Sequence, residues 1–283
     1  MKIRKAVITA AGPSQRSLPL QTLVDTDGNT KPVLQVLIQE AASAGVTDIA
    51  VVVHPGDVEA YTAAAGREHD VTFLPQIGSA GYGYAILQAQ DFVGGEAFLH
   101  LVGDHVYTNR SGKTCAQQLV ETATEHECSV SGLQPTRESL LPYFGAIGGI
   151  RVAGTSRLYQ VERVVEKPTP TEAEQTLLIP GLRAGHYLCF FGMHVLTPRV
   201  LTLLEKRTQE TGSGNSRDFA SVLSQLAGHE RYLGLEISGR RFAIDRKYGL
   251  LGAQLGLALE GKDRDEVLSL ITDLLIQREL SAS

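Results

Sequence analysis

Strand-like and helical segments alternate through the first half of the chain, and this alternation limits its fold more than any other feature. Short apolar runs predict strands at residues 5–9, 49–53, 71–74 and 98–102. Apolar residues at helical spacing predict helices at residues 32–44, 57–65, 82–91 and 114–127. This order is typical of an α/β fold in which a mostly parallel sheet carries helices on both faces.

The pattern changes in the second half, where strand-like segments follow one another with turns between them. Residues 145–152, 158–166 and 186–191 predict strands, so we expect an antiparallel insertion beside the main sheet. Helical patterns return at residues 198–208, 218–227, 247–259 and 263–280. A chain of 283 residues can bury roughly three quarters of its unfolded surface. We expect one domain over residues 1–283, with a helical C-terminal segment at 247–283.

The last predicted helix carries an apolar stripe that needs a partner. Its members are Val267, Leu270, Ile271, Leu274 and Leu275. We predict that the stripe packs on its own domain. A contact between subunits, and hence a homo-oligomer, is the alternative.

Charge and cysteine content exclude several classes of function. The formal net charge of −5 provides no basic surface for a nucleic acid polymer or an anionic membrane. The longest mainly apolar run, residues 187–196, is far below the roughly 20 residues that span a bilayer. The N-terminus is a poor secretory signal, and three cysteines without C-x-x-C spacing disfavour disulfides and thiolate metal sites. We therefore predict a cytoplasmic protein.

The first strand runs directly into a turn of small residues. Ala10, Ala11 and Gly12 let backbone N–H groups approach an anion, and Arg16 offers a planar set of donors for phosphate oxygens. Ligands of open α/β sheets bind at the carboxyl ends of strands, where Gly12 and Asp104 both fall. The turn predicts a phosphate site. A plain strand-to-loop turn is the structural alternative.

A glycine-rich loop follows the third predicted strand. Gln76 can hydrogen bond to a base edge through its amide, and Gly81 and Gly83 permit the close approach of a flat ring. Ile86 stands where a dinucleotide fingerprint needs glycine, and the Gly-Lys-Ser/Thr of a Walker A motif does not occur. The loop favours a base-binding site that uses neither motif.

Charged residues also follow two other predicted strands. Asp104 comes just after residues 98–102, a usual place for an Mg²⁺ ligand that meets a nucleotide phosphate, although an isolated Asp there is more often a cap or turn residue. Glu166 and Lys167 end another strand before Pro168, where a surface ion pair is the alternative. The zinc-protease and G-x-S-x-G hydrolase motifs are incomplete, which excludes those classes.

In their order along the chain, these motifs resemble those of the bacterial UTP:glucose-1-phosphate uridylyltransferases, which are sugar-phosphate nucleotidyltransferases. The likeness extends to Phe144-Gly145 and to the late sequences Gly239-Arg-Arg-Phe and Lys247-Tyr-Gly. It implies a Rossmann-like sheet, Mg²⁺, a UTP pocket and a pocket for a sugar 1-phosphate. The implied activity is transfer of UMP from UTP to that sugar phosphate, with glucose 1-phosphate as the expected acceptor.

The resemblance also implies roles for individual residues. Nucleotide-binding residues would be Ala10, Ala11, Gly12, Gln76 and Gly81, with the last two at the uracil. Catalytic residues would be Arg16 at the UTP phosphates and Lys167 at the sugar phosphate. Gly145 and Glu166 would hold the sugar, and Asp104 the metal.

The chain departs from the family pattern in three places. No Lys follows Arg16 before Asp25, Ala243 replaces the second metal-binding Asp, and residues 214–218 differ from the family's sugar-contact sequence. Asp245 could replace the lost carboxylate, and its alternative is a surface ion pair with Arg246 or Lys247. Two hypotheses follow: an active uridylyltransferase, which we favour, or a catalytically degenerate protein that binds a nucleotide or sugar nucleotide in a regulatory or partner role.

Overall fold

The structure is a computed structural model, and it describes residues 1–78, 81–109, 112–211 and 216–280. Its strands are β1 (Lys5–Thr9), β2 (Thr22–Val24), β3 (Thr30–Pro32), β4 (Asp48–Val53), β5 (Val71–Pro75), β6 (Phe98–Val102), β7 (His105–Asn109), β8 (Ser129–Arg137), β9 (Ala146–Arg151), β10 (Leu158–Val165), β11 (His186–Leu196), β12 (Tyr232–Glu236) and β13 (Gly239–Ala243). Its helices are α1 (Val33–Ser43), α2 (Val58–Ala65), α3 (Tyr82–Leu87), α4 (Gln90–Val93), α5 (Cys115–His126), α6 (Pro170–Thr176), α7 (Arg199–Thr211), α8 (Ser216–His229), α9 (Gly249–Glu260) and α10 (Arg264–Leu280). Short 3₁₀ helices span Pro55–Asp57 and Glu138–Tyr143.

Nine of the strands in the described part of the chain form one sheet, in the order β5-β4-β1-β6-β11-β8-β12-β10-β9. β1 is parallel to β4 on one side and to β6 on the other, and β5 is parallel to β4. The parallel arrangement predicted for the first half is confirmed for these strands. Thr9 pairs with Val102 at the carboxyl ends of β1 and β6, so the residues that follow both strands leave the sheet at one edge.

Alternation along the strands divides the core between the two faces of the sheet. Ile8 belongs to a buried cluster with Leu34 of α1 and Leu119 of α5, whereas its neighbour Val7 belongs to a cluster with Ile86 of α3 and Leu223 of α8. Successive side chains of a strand point to opposite faces, so helices cover the sheet on both sides. The predicted helix over residues 82–91 is divided into α3 and α4.

β9 pairs antiparallel with β10 and β11, as predicted, but these strands continue the main sheet and do not form an insertion beside it. β11 pairs antiparallel with both β6 and β8, and β12 is parallel to β8. The strand predicted to end at residue 191 extends to Leu196, because Gly192 adopts φ +79° and absorbs a register shift between Phe190 and His194. The complete sheet is therefore mixed: its first-half strands are all parallel, and its second half contains both antiparallel pairs and the parallel pair β8–β12.

The C-terminal helices differ in how well they are covered. α9 packs against β13 and β7, whereas α10 contacts mainly α9. The side chains of Leu270, Leu274 and Leu275 are 57, 58 and 60% exposed, so the prediction that the stripe packs on its own domain is wrong. Among the described residues, none of the helices has both the length and the apolar character required to cross a bilayer.

Candidate active site

A cavity of about 860 Å³ opens at the carboxyl edge of the parallel strands, and we call it the main cavity. Most of the predicted site residues line it: Ala11, Gly12, Arg16, Gln76, Gly81, Asp104, Gly145, Glu166, Lys167 and Asp245. Ala10 is the exception. Its N–H donates to the carbonyl of Val52, and its carbonyl accepts from the hydroxyl of Tyr61, so its backbone is used inside the protein.

The turn after β1 holds Arg16 beside this cavity. The carbonyl of Gly12 accepts hydrogen bonds from the backbone N–H groups of Gln15 and Arg16, which closes the turn. The hydroxyl of Tyr61 donates to the carbonyl of Arg16 at 2.7 Å. Nε of Arg16 lies 3.4 Å from Oδ2 of Asp57. Arg16 is thus anchored through its backbone, and its partly exposed guanidinium can contact an anion in the cavity.

The glycine-rich loop contributes a buried amide and a special backbone conformation. Gln76 is 8% exposed, and its backbone N–H donates to the carbonyl of Val53. Gly81 adopts φ +88° just before α3, a conformation that L side chains rarely adopt. Gly83 does not line the cavity, because a β-carbon there would meet Leu204 at 2.8 Å. Gly83 therefore permits the packing of α3 on α7. It does not provide the open backbone that was predicted for a flat ring, because it lies outside the lining of the cavity.

Pairing of two short strands brings the carboxylates of Asp104 and Asp245 to the same part of the cavity. β13 is antiparallel to β7, with Ala243 opposite His105, and the N–H of Ile244 donates to the carbonyl of Asp104. Nε2 of Gln15 lies 2.5 Å from Oδ2 of Asp104 and 3.5 Å from Oδ2 of Asp245. The chain turns after Ala243 and does not stay extended, and Asp245 forms no ion pair with Arg246 or Lys247 in the described structure.

Asp104 is held as an anion. Burial raises the pKa of this carboxyl group, but the adjacent His105, whose Nδ1 lies 2.7 Å from Oδ1, lowers it, and so does Lys167. The net effect places the pKa of Asp104 below its ordinary value. The carboxylate is therefore available to a cation at neutral pH. Gln15 and His105 were not predicted, although Gln15 directly precedes the predicted Arg16.

Gly145, Glu166 and Lys167 meet at another wall of the cavity. A β-carbon on Gly145 would lie 2.9 Å from Oε2 of Glu166 and 2.9 Å from the ring of Phe190, so only glycine leaves room for that carboxylate. Lys167 adopts φ +49°, which is rare and strained for a residue with a side chain. Residues 214 and 215 of the divergent sugar-contact sequence lie outside the described residues, as do the side chains of 216–218.

Two buried histidines, His194 in the lining of the cavity and His100 next to it, were not indicated by any sequence motif. Nδ1 of His194 hydrogen bonds with the hydroxyl of Ser131 at 2.5 Å, and that hydroxyl lies 2.5 Å from the hydroxyl of Tyr232. His100 contacts Thr9 through Nε2 at 3.2 Å. Burial lowers the pKa of His194 to about 3, and burial together with His194 lowers the pKa of His100 well below its ordinary value. Both rings are therefore neutral at pH 7.

We expect His194 to make the protein sensitive to mild acid. Below its ordinary pKa of 6.5 the unfolded chain binds a proton that the folded chain, with a pKa of about 3, does not bind. Stability is therefore present above pH 6.5 and falls as the pH drops, by about 1.4 kcal/mol between about pH 7.5 and about pH 5.5. In urea titrations followed by circular dichroism, His194→Asn should reduce the wild-type pH dependence by this amount. An identical pH dependence in both proteins would refute the assignment.

Comparisons with known proteins agree on one class. A model of the nucleotidyl transferase family matches residues 5–238. UTP–glucose-1-phosphate uridylyltransferase 2 of Streptococcus pyogenes serotype M3 is 28% identical over 291 residues, which cover 92% of this chain and 91% of that protein. UDP-glucose pyrophosphorylase from Acinetobacter baumannii has a similar structure, with a TM-score of 0.75 and 21% identity over 96% of this chain and all of that one. Its UTP-bound form gives a TM-score of 0.74 at the same identity and 96% coverage of this chain.

Proposed function

Because the chain belongs to the nucleotidyl transferase family, we propose that it transfers UMP from UTP to glucose 1-phosphate, forming UDP-glucose and pyrophosphate. One observation carries the proposal: residues from distant parts of the sequence, selected by their likeness to uridylyltransferases, line a single cavity. We propose that residues 1–283 act as one nucleotidyltransferase domain. The cytoplasmic location and a homo-oligomeric state remain predictions.

The reaction depends on positioning and on neutralising charge. An oxygen of the sugar phosphate attacks the α-phosphorus of UTP, the bond to the β-phosphate oxygen breaks, and pyrophosphate leaves. Arg16 would contact the phosphates of UTP from the β1 turn, and Lys167 would contact the phosphate of the sugar from the segment after β10. Two cations placed in this way stabilise negative charge that moves from one phosphate to another during transfer.

The remaining residues of the cavity would bind the two substrates. Ala11 and Gly12 offer backbone close to the UTP phosphates, and Gln76 and Gly81 offer an amide and open backbone to the uracil. Glu166, seated against Gly145, would accept hydrogen bonds from sugar hydroxyl groups. This arrangement leaves the sugar phosphate beside Lys167.

We propose Mg²⁺ as the metal, held by Asp104 and Asp245. Mg²⁺ is commonly bound by one or two carboxylates together with substrate phosphates and water. The pair fits this pattern, since both carboxylates reach the amide nitrogen of Gln15, a position that a cation between them would compete for. No group of three potential metal-binding side chains occurs in the part of the chain that the structure describes, so the substrate would have to complete the coordination. The bound ion would neutralise charge on the UTP phosphates.

Two observations favour the alternative of a binding protein without activity. Ala243 removes a carboxylate that the resemblance leads us to expect, and the family lysine after Arg16 is also missing. Each such loss typically costs about 3 kcal/mol of transition-state stabilisation, so two losses together can silence an enzyme. Asp245 beside Asp104 offsets the first loss, and for this reason we favour the enzyme.

A pyrophosphate-release assay with a panel of nucleotides and sugar phosphates tests the proposed function. We expect the highest rate with UTP and glucose 1-phosphate, a lower rate with ATP or GTP, and dependence on Mg²⁺. Tight binding of UTP in calorimetry without release of pyrophosphate from any pair would favour the binding protein.

The role of Asp245 can be tested separately from the fold because its side chain is exposed. We expect Asp245→Ala to lower turnover at least about tenfold with little change in UTP affinity, since the metal would lose one ligand. Ala243→Asp should raise turnover by restoring a carboxylate near Asp104. Kinetics and calorimetry provide these two values.

Metal affinity provides a second measurement that does not depend on activity. Manganese binding, followed by electron paramagnetic resonance, should weaken in Asp245→Ala and become stronger in Gln15→Ala, because the amide would no longer occupy the two carboxylates. Unchanged manganese affinity in Asp245→Ala, together with wild-type turnover, would remove Asp245 from the metal site.

A further inference from the structure

A second cavity of about 290 Å³ shares part of its walls with the main cavity and has an unusual distribution of charge. Its walls include Arg241, Arg246 and Lys247, and they contain no aspartate or glutamate. None of these three cations forms an ion pair within the described residues. The protein as a whole has a net charge of −5, so this concentration of unbalanced positive charge needs a physical explanation.

Of the three cations, Arg241 is the most deeply buried, so its charge lowers the stability of the fold the most. It is 7% exposed, and its guanidinium stacks on Phe144 with Cζ 3.8 Å from the ring centre. It donates long hydrogen bonds to the hydroxyl of Thr136 at 3.3 Å and to the carbonyl of Cys189 at 3.5 Å, and its Nε is buried without a partner. A buried charge without a counterion is strongly unfavourable.

Arg246 adds the electrostatic repulsion of a second positive charge. Its Cζ lies 6.0 Å from the centre of the Phe144 ring that Arg241 also contacts, and 3.7 Å from that of Tyr143. Burial lowers the pKa of Arg241 to about 10, and the positive charge of Arg246 acts in the same direction. Arg241 nevertheless stays charged at neutral pH, so two like charges lie close to the same aromatic ring. An anion between them would relieve this repulsion.

A helix N-terminus at the same cavity provides an independent contribution. α9, a helix of 12 residues, begins at Gly249 on the wall of the second cavity. Tyr248 caps it with a strained φ of +64° and without a side-chain hydrogen bond, and the first turn has no acidic residue. The N–H groups of Gly249 and Gly252 donate to the carbonyls of Arg246 and Tyr248, so the helix contributes its dipole and not these two donors. Gly249 lies so close to the carbonyl of Ala243 that a β-carbon would be 2.1 Å from it. The positive end of the helix dipole is therefore held beside the three cations.

We propose that the second cavity binds a phosphate-type anion between Arg241, Arg246, Lys247 and the N-terminus of α9. Planar guanidinium groups, an ammonium group and the positive end of a helix dipole attract phosphate oxygens in proteins. The volume corresponds to roughly ten water molecules, which suits inorganic phosphate or a small phosphate monoester. Phe144, Ala243 and Arg246 line both cavities, so the anion would contact walls of the main cavity. The proposal does not depend on the proposed reaction.

The test must separate this site from anion binding in the main cavity. The background is therefore the double variant Arg16→Ala, Lys167→Ala, which removes the proposed phosphate contacts of the main cavity. Inorganic phosphate and glycerol 3-phosphate are titrated in parallel, with ³¹P NMR as the readout, and the more tightly bound probe identifies the kind of ligand. We expect saturable binding of at least one of them in this background.

Two further substitutions in that background decide the outcome. Lys247→Gln should weaken binding about tenfold, because a charged donor is lost from an exposed position where folding is not at risk. Lys206→Gln, which removes the same charge from an exposed position on α7 that lines neither cavity, should leave the affinity within about twofold. Arg241→Met should abolish binding if circular dichroism shows that the variant is folded. No saturable binding in the background, or equal affinities in Lys247→Gln and Lys206→Gln, would overturn the proposal.

Discussion

Replacement of Asp104 by alanine is expected to lower uridylyl transfer at least about a thousandfold, because it removes the carboxylate that we propose as the metal ligand beside the UTP phosphates. The side chain lies at the end of β6 in the main cavity, and its hydrogen-bond partners are His105 and Gln15, not the apolar core. The fold should therefore persist. Turnover is measured with saturating substrates, and folding by thermal unfolding.

Two further variants make this result specific. Asp104→Asn keeps the shape of the side chain but removes its charge, so we expect nearly the same loss of turnover. Asp91→Ala removes a carboxylate from an exposed position of α4 and should leave turnover unchanged. Turnover of Asp104→Ala within tenfold of wild type would mean that this residue does not hold the metal.

We expect Lys167→Ala to lower kcat/KM for the sugar phosphate at least about a hundredfold, the usual effect of losing one preorganised charge contact in an active site. Lys167 is exposed to the main cavity and follows Glu166 at its wall. Calorimetry should show UTP affinity changed much less than the kinetic constants of the sugar phosphate. A larger loss of UTP affinity than of kcat/KM for the sugar phosphate would place Lys167 at the nucleotide instead.

The strained backbone of Lys167 provides an independent control. At φ +49°, alanine keeps the strain and glycine relieves it, so Lys167→Gly should be more stable than Lys167→Ala by about 1 kcal/mol. Both variants should be equally inactive, since both lack the ammonium group. Higher activity in the glycine variant would show that backbone geometry, and not charge, limits the reaction.

The sequence predicts those features of the fold that depend on neighbouring residues. Apolar runs placed β1, β4, β5 and β6 within one residue, because a buried strand needs a continuous apolar segment with clear ends. Residues just after these strands were correctly expected to share a cavity, since parallel strands bring their carboxyl ends to one edge. Ala10, one position too early, is still part of the β1 hydrogen-bond pattern.

Features that depend on pairing between distant segments were not predictable. β11 joins the two halves of the sheet only because Gly192 allows a register shift within it, and an isolated glycine does not indicate which strands will pair. The same limit applies to β7 and β13, whose pairing brings Asp245 near Asp104. The sequence suggested Asp245 as a replacement ligand, but not the turn that places it there.

The burial of polar side chains that belong to no sequence motif was also not predictable. Arg241 lies in a short polar run that resembles an exposed strand, yet β13 carries its side chain into the protein against Phe144. His194 lies within the mainly apolar run of residues 187–196 and belongs to no motif. No local pattern distinguishes a buried, hydrogen-bonded histidine from an exposed one, because its partners Ser131 and Tyr232 lie on other strands.

The most direct test of the proposed function is the identification of both products from UTP and glucose 1-phosphate. Purified protein with Mg²⁺ is incubated with the two substrates, and UDP-glucose and pyrophosphate are quantified by ³¹P NMR, with Asp104→Ala as the control. We predict equal amounts of the two products, formed by the wild type and not by the variant. Saturation of the wild type with UTP and glucose 1-phosphate, shown by calorimetry, without formation of UDP-glucose would contradict the assignment of this cavity as an active site.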